Sequence, residues 1–443
     1  MTCRPISAAL VLGLFLLPAV AGAQGVVPPA VTLSLDEAVT RAVAASHRLA
    51  EARARGDAAA AVADARHAPT LPQVTALAGY TRTNHVDEFG IPLPNNQLRV
   101  IYPDIPDNYR SRLDVQWPLY TAGRLDALES AARREQNATS RDLDAATADV
   151  RLDTTRAFWN LVVARENQRV VAESLARMTA HVRDVHNQFD AGLVPPNDEL
   201  TARAQEARQR MLSIQSKTAR ENAEADLARL VGLAPGTAID VSASLVTPEV
   251  TDSFEALVAL ARQNRPERHA LEERVAAAQS RVRAADAGRK PTVAVAGGID
   301  YARPNPRIFP RLGEWRESWD ASVNVSWPLF DGGRTKSDAA EASAGVRAGQ
   351  ARLAEFDSLV ALEIRQRLSE LESSRAALEA ADVAVEASTE ARRVIGERFA
   401  AGVATSTDVV DAQVAILQAQ LDRTQAVVAA RLAEARLNRA VGR

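Results

Sequence analysis

The sequence predicts an α+β membrane protein, mostly long α-helices with four short membrane-type β-strands, arranged as an internal twofold repeat. Three observations predict it. Trp117-Pro118-Leu119-Tyr120-Thr121-Ala122-Gly123-Arg124 returns 210 residues later as Trp327-Pro328-Leu329-Phe330-Asp331-Gly332-Gly333-Arg334. Four segments alternate apolar and polar residues with the strand period of two. The composition, 87 alanines among 443 residues with only 4% aromatics, suits long helices with small-residue seams rather than several aromatic-rich cores.

The elements follow in order. Arg4, the apolar run Ala8 to Val20 and the small-x-small triplet Ala21-Gly22-Ala23 read as a cleaved export signal over residues 1–23. The run is shorter than the ~20 residues of a bilayer-spanning helix. Cys3, the one cysteine, lies ahead of that run; it leaves with the signal and cannot carry a lipid at the new N-terminus. The first repeat covers 24–232: a helix over about 34–68, strands near 73–83 and 109–117, a helix over 121–190 and another over 197–231. Pro195-Pro196 ends the long helix, and Asn197 or Asp198 is placed to cap the next. Residues 233–252, with Pro235, Gly236 and Pro248, link to the second repeat over 253–443. There the helix is expected at 253–289, strands near 292–301 and 318–327, and helices at 331–400 and 407–441, with Ser406 or Thr407 as the cap.

The offset of 210 also maps Phe189-Asp190-Ala191-Gly192 onto Phe399-Ala400-Ala401-Gly402, and Asp198 onto Asp408. Earlier segments align at 219, as in Pro72-Gln73-Val74 and Pro291-Thr292-Val293, so the first copy holds nine extra residues between about 80 and 116. A 70-residue helix is about 100 Å long and must lie against other long helices to bury its stripe. The shorter helices, stacked end to end, match that length.

The strands decide the environment. Trp319, Ala321, Val323, Val325 and Trp327 alternate with Asp320, Ser322, Asn324 and Ser326; Tyr109, Leu113, Val115 and Trp117 alternate with Arg110, Arg112, Asp114 and Gln116. One apolar and one polar face is what a membrane barrel presents to lipid and to water. Tyr80, Tyr109, Trp117, Tyr301, Trp319 and Trp327 stand at strand ends, where an interfacial aromatic belt falls. Four strands cannot close a barrel, and an open edge in lipid is prohibitive, so several chains must share one. Two chains would supply eight strands and three would supply twelve; the physics leaves both open.

The signal, the repeat, the two Trp-Pro-Leu junctions and the turn Phe399-x-x-Gly402 followed by Asp408-Val409-Val410-Asp411 together resemble the TolC-like outer membrane efflux protein family, the outer membrane factors. The resemblance runs from about Leu33 to Leu437. It implies a homotrimer with a twelve-stranded outer-membrane barrel and a helical tunnel reaching into the periplasm. It also implies a passive duct for tripartite efflux or type I secretion, fed by a periplasmic adaptor protein and an inner-membrane pump. Asp408 and Asp411 match the family's periplasmic gate; three apart, they share a helix face and would form two carboxylate rings in a trimer, raising their pKa values as a set. The same pair would also serve as an ordinary acidic first turn. The turns at Gly192, Leu193 and Val194 and at Gly402, Val403 and Ala404 would be the tips where adaptor hairpins dock.

Other functions are disfavoured by the residues. A formal charge of −3 lacks the basic stripe of a nucleic-acid binder. The six histidines are scattered, no cofactor or metal pattern occurs, and no nucleophile, base and acid converge. A soluble periplasmic coiled-coil or adaptor protein is the competing class, distinguished by strands without a lipid-facing belt.

Overall fold

The computed structural model describes residues 31–95, 97–242 and 252–443. The proposed signal and most of the second half of the linker lie outside these residues. The chain opens with strand β1 (Val31–Leu33), followed by helices α1 (Leu35–Ala45) and α2 (His47–His67). Strand β2 (Gln73–Arg82), a small hairpin β3 (Phe89–Pro92) and β4 (Leu98–Tyr102), and strand β5 (Asp107–Tyr120) come next. Helix α3 (Arg124–Asp190) and helix α4 (Pro196–Leu230) form a long hairpin, and β6 (Ile239–Val241) ends the first half. The second half runs α5 (Phe254–Asn264), α6 (Pro266–Asp286), β7 (Thr292–Arg303), β8 (Arg316–Ser326), α7 (Arg334–Ala400) and α8 (Ser406–Val441).

Two expected helices are each divided in two. Ser46, in extended conformation, ends α1 and caps α2 by accepting from Leu49 N–H at 3.3 Å. In the second half Pro266 follows Arg265, and the residue before a proline avoids the helical region. The caps of the hairpins also differ from expectation. Helix α4 begins at Pro196 with no side-chain cap, so neither Asn197 nor Asp198 caps it. Helix α8 is capped by Thr405, one residue before the expected Ser406. The nine extra residues of the first half fall where the β3–β4 hairpin forms.

Helices α3 and α7 each have 67 residues, about 100 Å of rise. Helices α1, α2, α4, α6 and α8 pack along α3, while α5, α6 and α8 pack along α7. Ion pairs fix the antiparallel register: His67 faces Glu129 at 2.8 Å and Arg48 faces Asp149 at 2.9 Å across α2 and α3. Buried alanines recur every seven residues on α3 (Ala131, Ala138, Ala145) and on its neighbour α6 (Ala270, Ala277, Ala284). A seven-residue repeat keeps a seam on one side of supercoiled helices, and methyl side chains let the backbones approach closely. Ser130 and Ser280 meet at 3.3 Å in this seam.

The largest core lies midway along the helices, where β1 pairs in parallel with β6. Leu33, Leu49, Phe158, Leu161, Leu227 and Ile239 are fully buried there, with Trp159 edge-on to Phe158 at 5.8 Å. Trp159 is thus a core residue, which leaves the other four tryptophans beside the strands. Arg439, 11% exposed, ties this waist together by pairing with Asp149 of α3 at 2.7 Å and with Glu267 of α6.

At one end of the helices stands a four-stranded antiparallel sheet in the order β2-β5-β7-β8. The last strand of each half, β5 and β8, passes into a long helix through a left-handed turn: Ala122 and Gly123, with φ of 54° and 79°, and Gly332 and Gly333, with φ of 66° and 88°. Glycine reaches these values without a Cβ penalty, which explains the conserved spacing of the two junction motifs within this chain.

Candidate functional site

The register of the sheet sorts its residues by face. Val74 stands opposite Val115, Ala76 opposite Leu113, Tyr80 opposite Tyr109. Leu113 continues to Ile299 and Trp319, and Trp117 to Val295 and Val323. Apart from Ser111 and Glu317 beside Tyr301, this face is apolar and open, with Val74, Ile299, Trp319, Val323 and Val325 more than half exposed. In water, so large a contiguous apolar surface is untenable for a soluble monomer; against lipid it is required.

All six expected belt residues lie at exposed positions in or beside these strands. Tyr80 and Tyr109 pack with ring centroids 5.0 Å apart at one end, and Tyr301 stacks at 4.9 Å on Trp315, which also approaches Tyr109 at 5.9 Å. Trp315 belongs to the same cluster but precedes its strand, so period-two reasoning missed it. At the opposite end Trp117 Nε1 donates to Thr70 O at 3.1 Å, and Trp327 Nε1 donates to Arg289 O at 3.1 Å. The tryptophan of each junction motif therefore bonds the turn that precedes β2 or β7, the first strand its half gives to the four-stranded sheet. Tyr109 to Trp117 and Trp319 to Trp327 each span eight residues, ~27 Å along a strand, close to the ~25 Å apolar band of an outer-membrane barrel.

The other face is charged. Arg110 pairs with Asp300 at 2.6 Å; Arg112 pairs with Asp114 at 2.6 Å, with Asp320 at 2.9 Å, and also with Asp300. A Cβ at Gly298 would stand 2.6 Å from the Arg112 guanidinium, so the glycine makes the space in which Arg112 crosses β7 to reach β8. Such a face belongs against water.

The far end of the helices holds the two turns. Gly192 (φ 72°) and Gly402 (φ 75°) close α3 and α7 in the same way. Leu193 N–H donates to Gln188 O at 2.8 Å and Val403 N–H to Arg398 O at 2.9 Å, the long-range bond of a glycine-terminated helix. Leu193 is 74% and Val403 63% exposed. Val194 and Ala404 are half-buried beside them.

Asp408 and Asp411 are both exposed on the first turns of α8. Asp408 is engaged in a cap: its carboxylate accepts from Thr405 N–H and from the Thr405 hydroxyl, each at 2.8 Å, while Asp408 N–H donates to Thr405 Oγ1 at 3.2 Å. The Thr405 backbone and hydroxyl hold its carboxyl below the ordinary carboxylate range.

Two groups near the turns escaped the sequence. Glu199, 7% exposed, accepts from His186 Nδ1–H at 2.8 Å and pairs with Arg203 at 2.5 Å. Its partner across the hairpin is legible only once the turn is placed, since the two residues are equally far from it. His181, 5% exposed on α3, meets Ser406 Oγ at 3.0 Å and lies edge-on to Phe399 at 5.3 Å. It links the first hairpin to the second, and no local pattern announces it. Among the described residues no cluster of metal-ligating side chains occurs, and no helix is long and apolar enough to cross a membrane.

The sequence profile of the outer membrane efflux proteins matches residues 38–233 and 257–443. The chain belongs to the outer membrane efflux protein family. Among the relatives of this efflux protein, Protein CyaE of Bordetella pertussis is 27% identical over 355 residues, covering 79% of this chain and 71% of CyaE. Outer membrane protein TolC of Vibrio cholerae is 24% identical over 382 residues, covering 86% and 84%. The fold is that of solved channels: the Campylobacter jejuni CmeC outer membrane channel aligns with a TM-score of 0.77 at 18% identity, over 92% of this chain and 85% of that one. CusC aligns with a TM-score of 0.78 at 16% identity, over 92% of each chain. Family and fold are those of channel proteins rather than enzymes. This efflux protein is an outer-membrane channel of the kind that serves tripartite efflux or type I secretion.

Proposed function

We propose that three copies of the chain close into one duct, with a twelve-stranded barrel in the outer membrane and a helical tunnel through the periplasm. The observation that carries this is the sheet itself: an even number of antiparallel strands with two unpaired edges, β2 and β8. Because β2 and β8 run in opposite directions, β8 of one copy can pair antiparallel with β2 of the next, and the pattern closes without a break. Four strands are too few to close alone. Eight would leave a lumen filled by side chains, and Arg110, Arg112, Asp300 and Asp320 need a water-filled one.

In this reading residues 1–23 are an export signal, and the two halves, joined by 233–252, are copies of one ancestral unit. The tips at Gly192–Val194 and Gly402–Ala404 receive the hairpins of a periplasmic adaptor that connects the duct to an inner-membrane pump; exposed Leu193 and Val403 supply apolar contact. Asp408 and Asp411 ring the narrow end as a cation-attracting gate, with Asp411 the freer carboxylate. Fractionation followed by native mass measurement tests the assembly. The protein is expected in the outer membrane at three times the chain mass; a soluble monomer would overturn the reading.

A further inference from the structure

The loop between β7 and β8, residues 304–315, lies over the charged face of the sheet rather than standing away from it. Asn305, 2% exposed, donates from Nδ2 to Arg316 O at 3.0 Å and to Ser318 Oγ at 3.0 Å, while its Oδ1 accepts from Arg307 N–H at 2.9 Å. Arg307 donates to Trp319 O at 2.9 Å and pairs with Asp320 at 2.7 Å. Ser318 and Asp320 stand on the same face as Asp300 and Gly298, opposite which they are registered. The base of the loop is closed by Arg303 Nε donating to Gly313 O at 2.7 Å.

The loop also reaches across to the other side of the chain. Arg311 donates to Tyr102 Oη at 2.7 Å, lies 5.2 Å over the Tyr102 ring, and donates to Asn108 Oδ1 at 3.4 Å. Tyr102 ends β4 and Asn108 is the second residue of β5, so the loop bridges from β8 to the loop region of the first half. Beneath it remains a cavity of about 330 Å³ between Pro304, Pro306 and Arg311 above and Leu77, Arg110 and Arg112 below. The loop is therefore held by a few polar bonds above a hollow, not packed solidly onto the sheet.

We propose that this loop is a strap across the extracellular mouth of the lumen, latched by Asn305 and Arg307, and that it sets the size of molecule able to pass there. The inference rests on the duct reading, because only a closed barrel turns the charged face into a lumen. Three straps then project inward from the rim. Pore diameter and the polar groups lining it decide passage.

A cysteine placed below the strap tests this from outside. Ser322 is exposed on the charged face, one step deeper than Asp320. In a chain carrying Ser322→Cys, with Cys3 replaced by serine, intact cells are treated with a small maleimide and with one carried on a long polyethylene glycol chain. Both reagents enter from outside, so a closed far end does not affect the reading. Combining Asn305→Ala with Arg307→Ala should raise labelling by the large reagent about tenfold and leave the small one unchanged. An unchanged ratio of the two rates overturns the strap. Failure of the small reagent to label any form overturns the lumen itself, and with it the duct. Arg307→Gln alone, at an exposed loop side chain, gives the same test if the double variant does not reach the membrane.

Discussion

At the scale of residues, the acidic pair on α8 divides into two roles. Asp408 closes a reciprocal cap with Thr405, and its carboxyl is held below the ordinary range by that bond. A depressed carboxyl contributes stability that is full above its unfolded pKa and lost as pH falls through the folded one, so the cap persists into acid. Asp411, one turn on, has its carboxylate exposed. Replacing Asp411 by Asn should therefore weaken block of single-channel current by divalent cations about tenfold without loosening the turn. Asp408→Asn should also disturb the start of α8, measured by amide exchange there. Equal block in Asp411→Asn and the parent would remove Asp411 from the gate. The sequence shows that two carboxylates share a face; it does not show that one of them is already occupied, because that depends on the helix starting after Thr405.

At the scale of elements, the hairpins were legible and their joints were not. Strand existence followed from period-two alternation at Trp319 to Trp327, and the long helices followed from the repeated junction and turn motifs. The breaks at Ser46 and Arg265 are set by caps and by a following proline, local effects that leave the hydrophobic pattern unchanged on both sides. The β3–β4 hairpin fills an insertion whose size the repeat revealed but whose shape it could not. The contact between hairpins at His181 is likewise tertiary. Burial lowers the pKa of this ring, with Asp184 opposing the shift, and Ser406 and Phe399 are its neighbours from α8 and α7. A histidine whose folded pKa lies below its unfolded one costs stability as pH drops below about 6.5 and the unfolded form takes up its proton. Amide exchange at the start of α8 should then quicken at pH 5.5 relative to pH 7.5, after correction for the intrinsic rate. In His181→Gln that pH dependence should vanish; its persistence would show that another group controls the joint.

At the scale of the whole molecule, the waist holds together what the sheet and the turns require to be far apart. Arg439 joins α8 to α3 and α6 through Asp149 and Glu267. Burial alone would push the Glu267 carboxyl up; the Arg439 guanidinium outweighs it and holds it down. Arg439→Met removes one partner of a largely desolvated set and should destabilise the chain by about 3 kcal/mol. The measurement is the thermal unfolding of the detergent-solubilised protein. A midpoint equal to the parent's would show that the alanine seams alone set the waist.

The two bare strand edges carry one more consequence, for biogenesis. If the duct closes as proposed, a newly exported chain cannot complete its barrel by itself, since its outer strands β2 and β8 each need a neighbour's strand. Folding of the sheet, association and membrane entry are then a single event whose rate climbs steeply with the supply of chains. Below that supply the exported polypeptide stays hungry for any strand it meets, and the cell must shelter or destroy it.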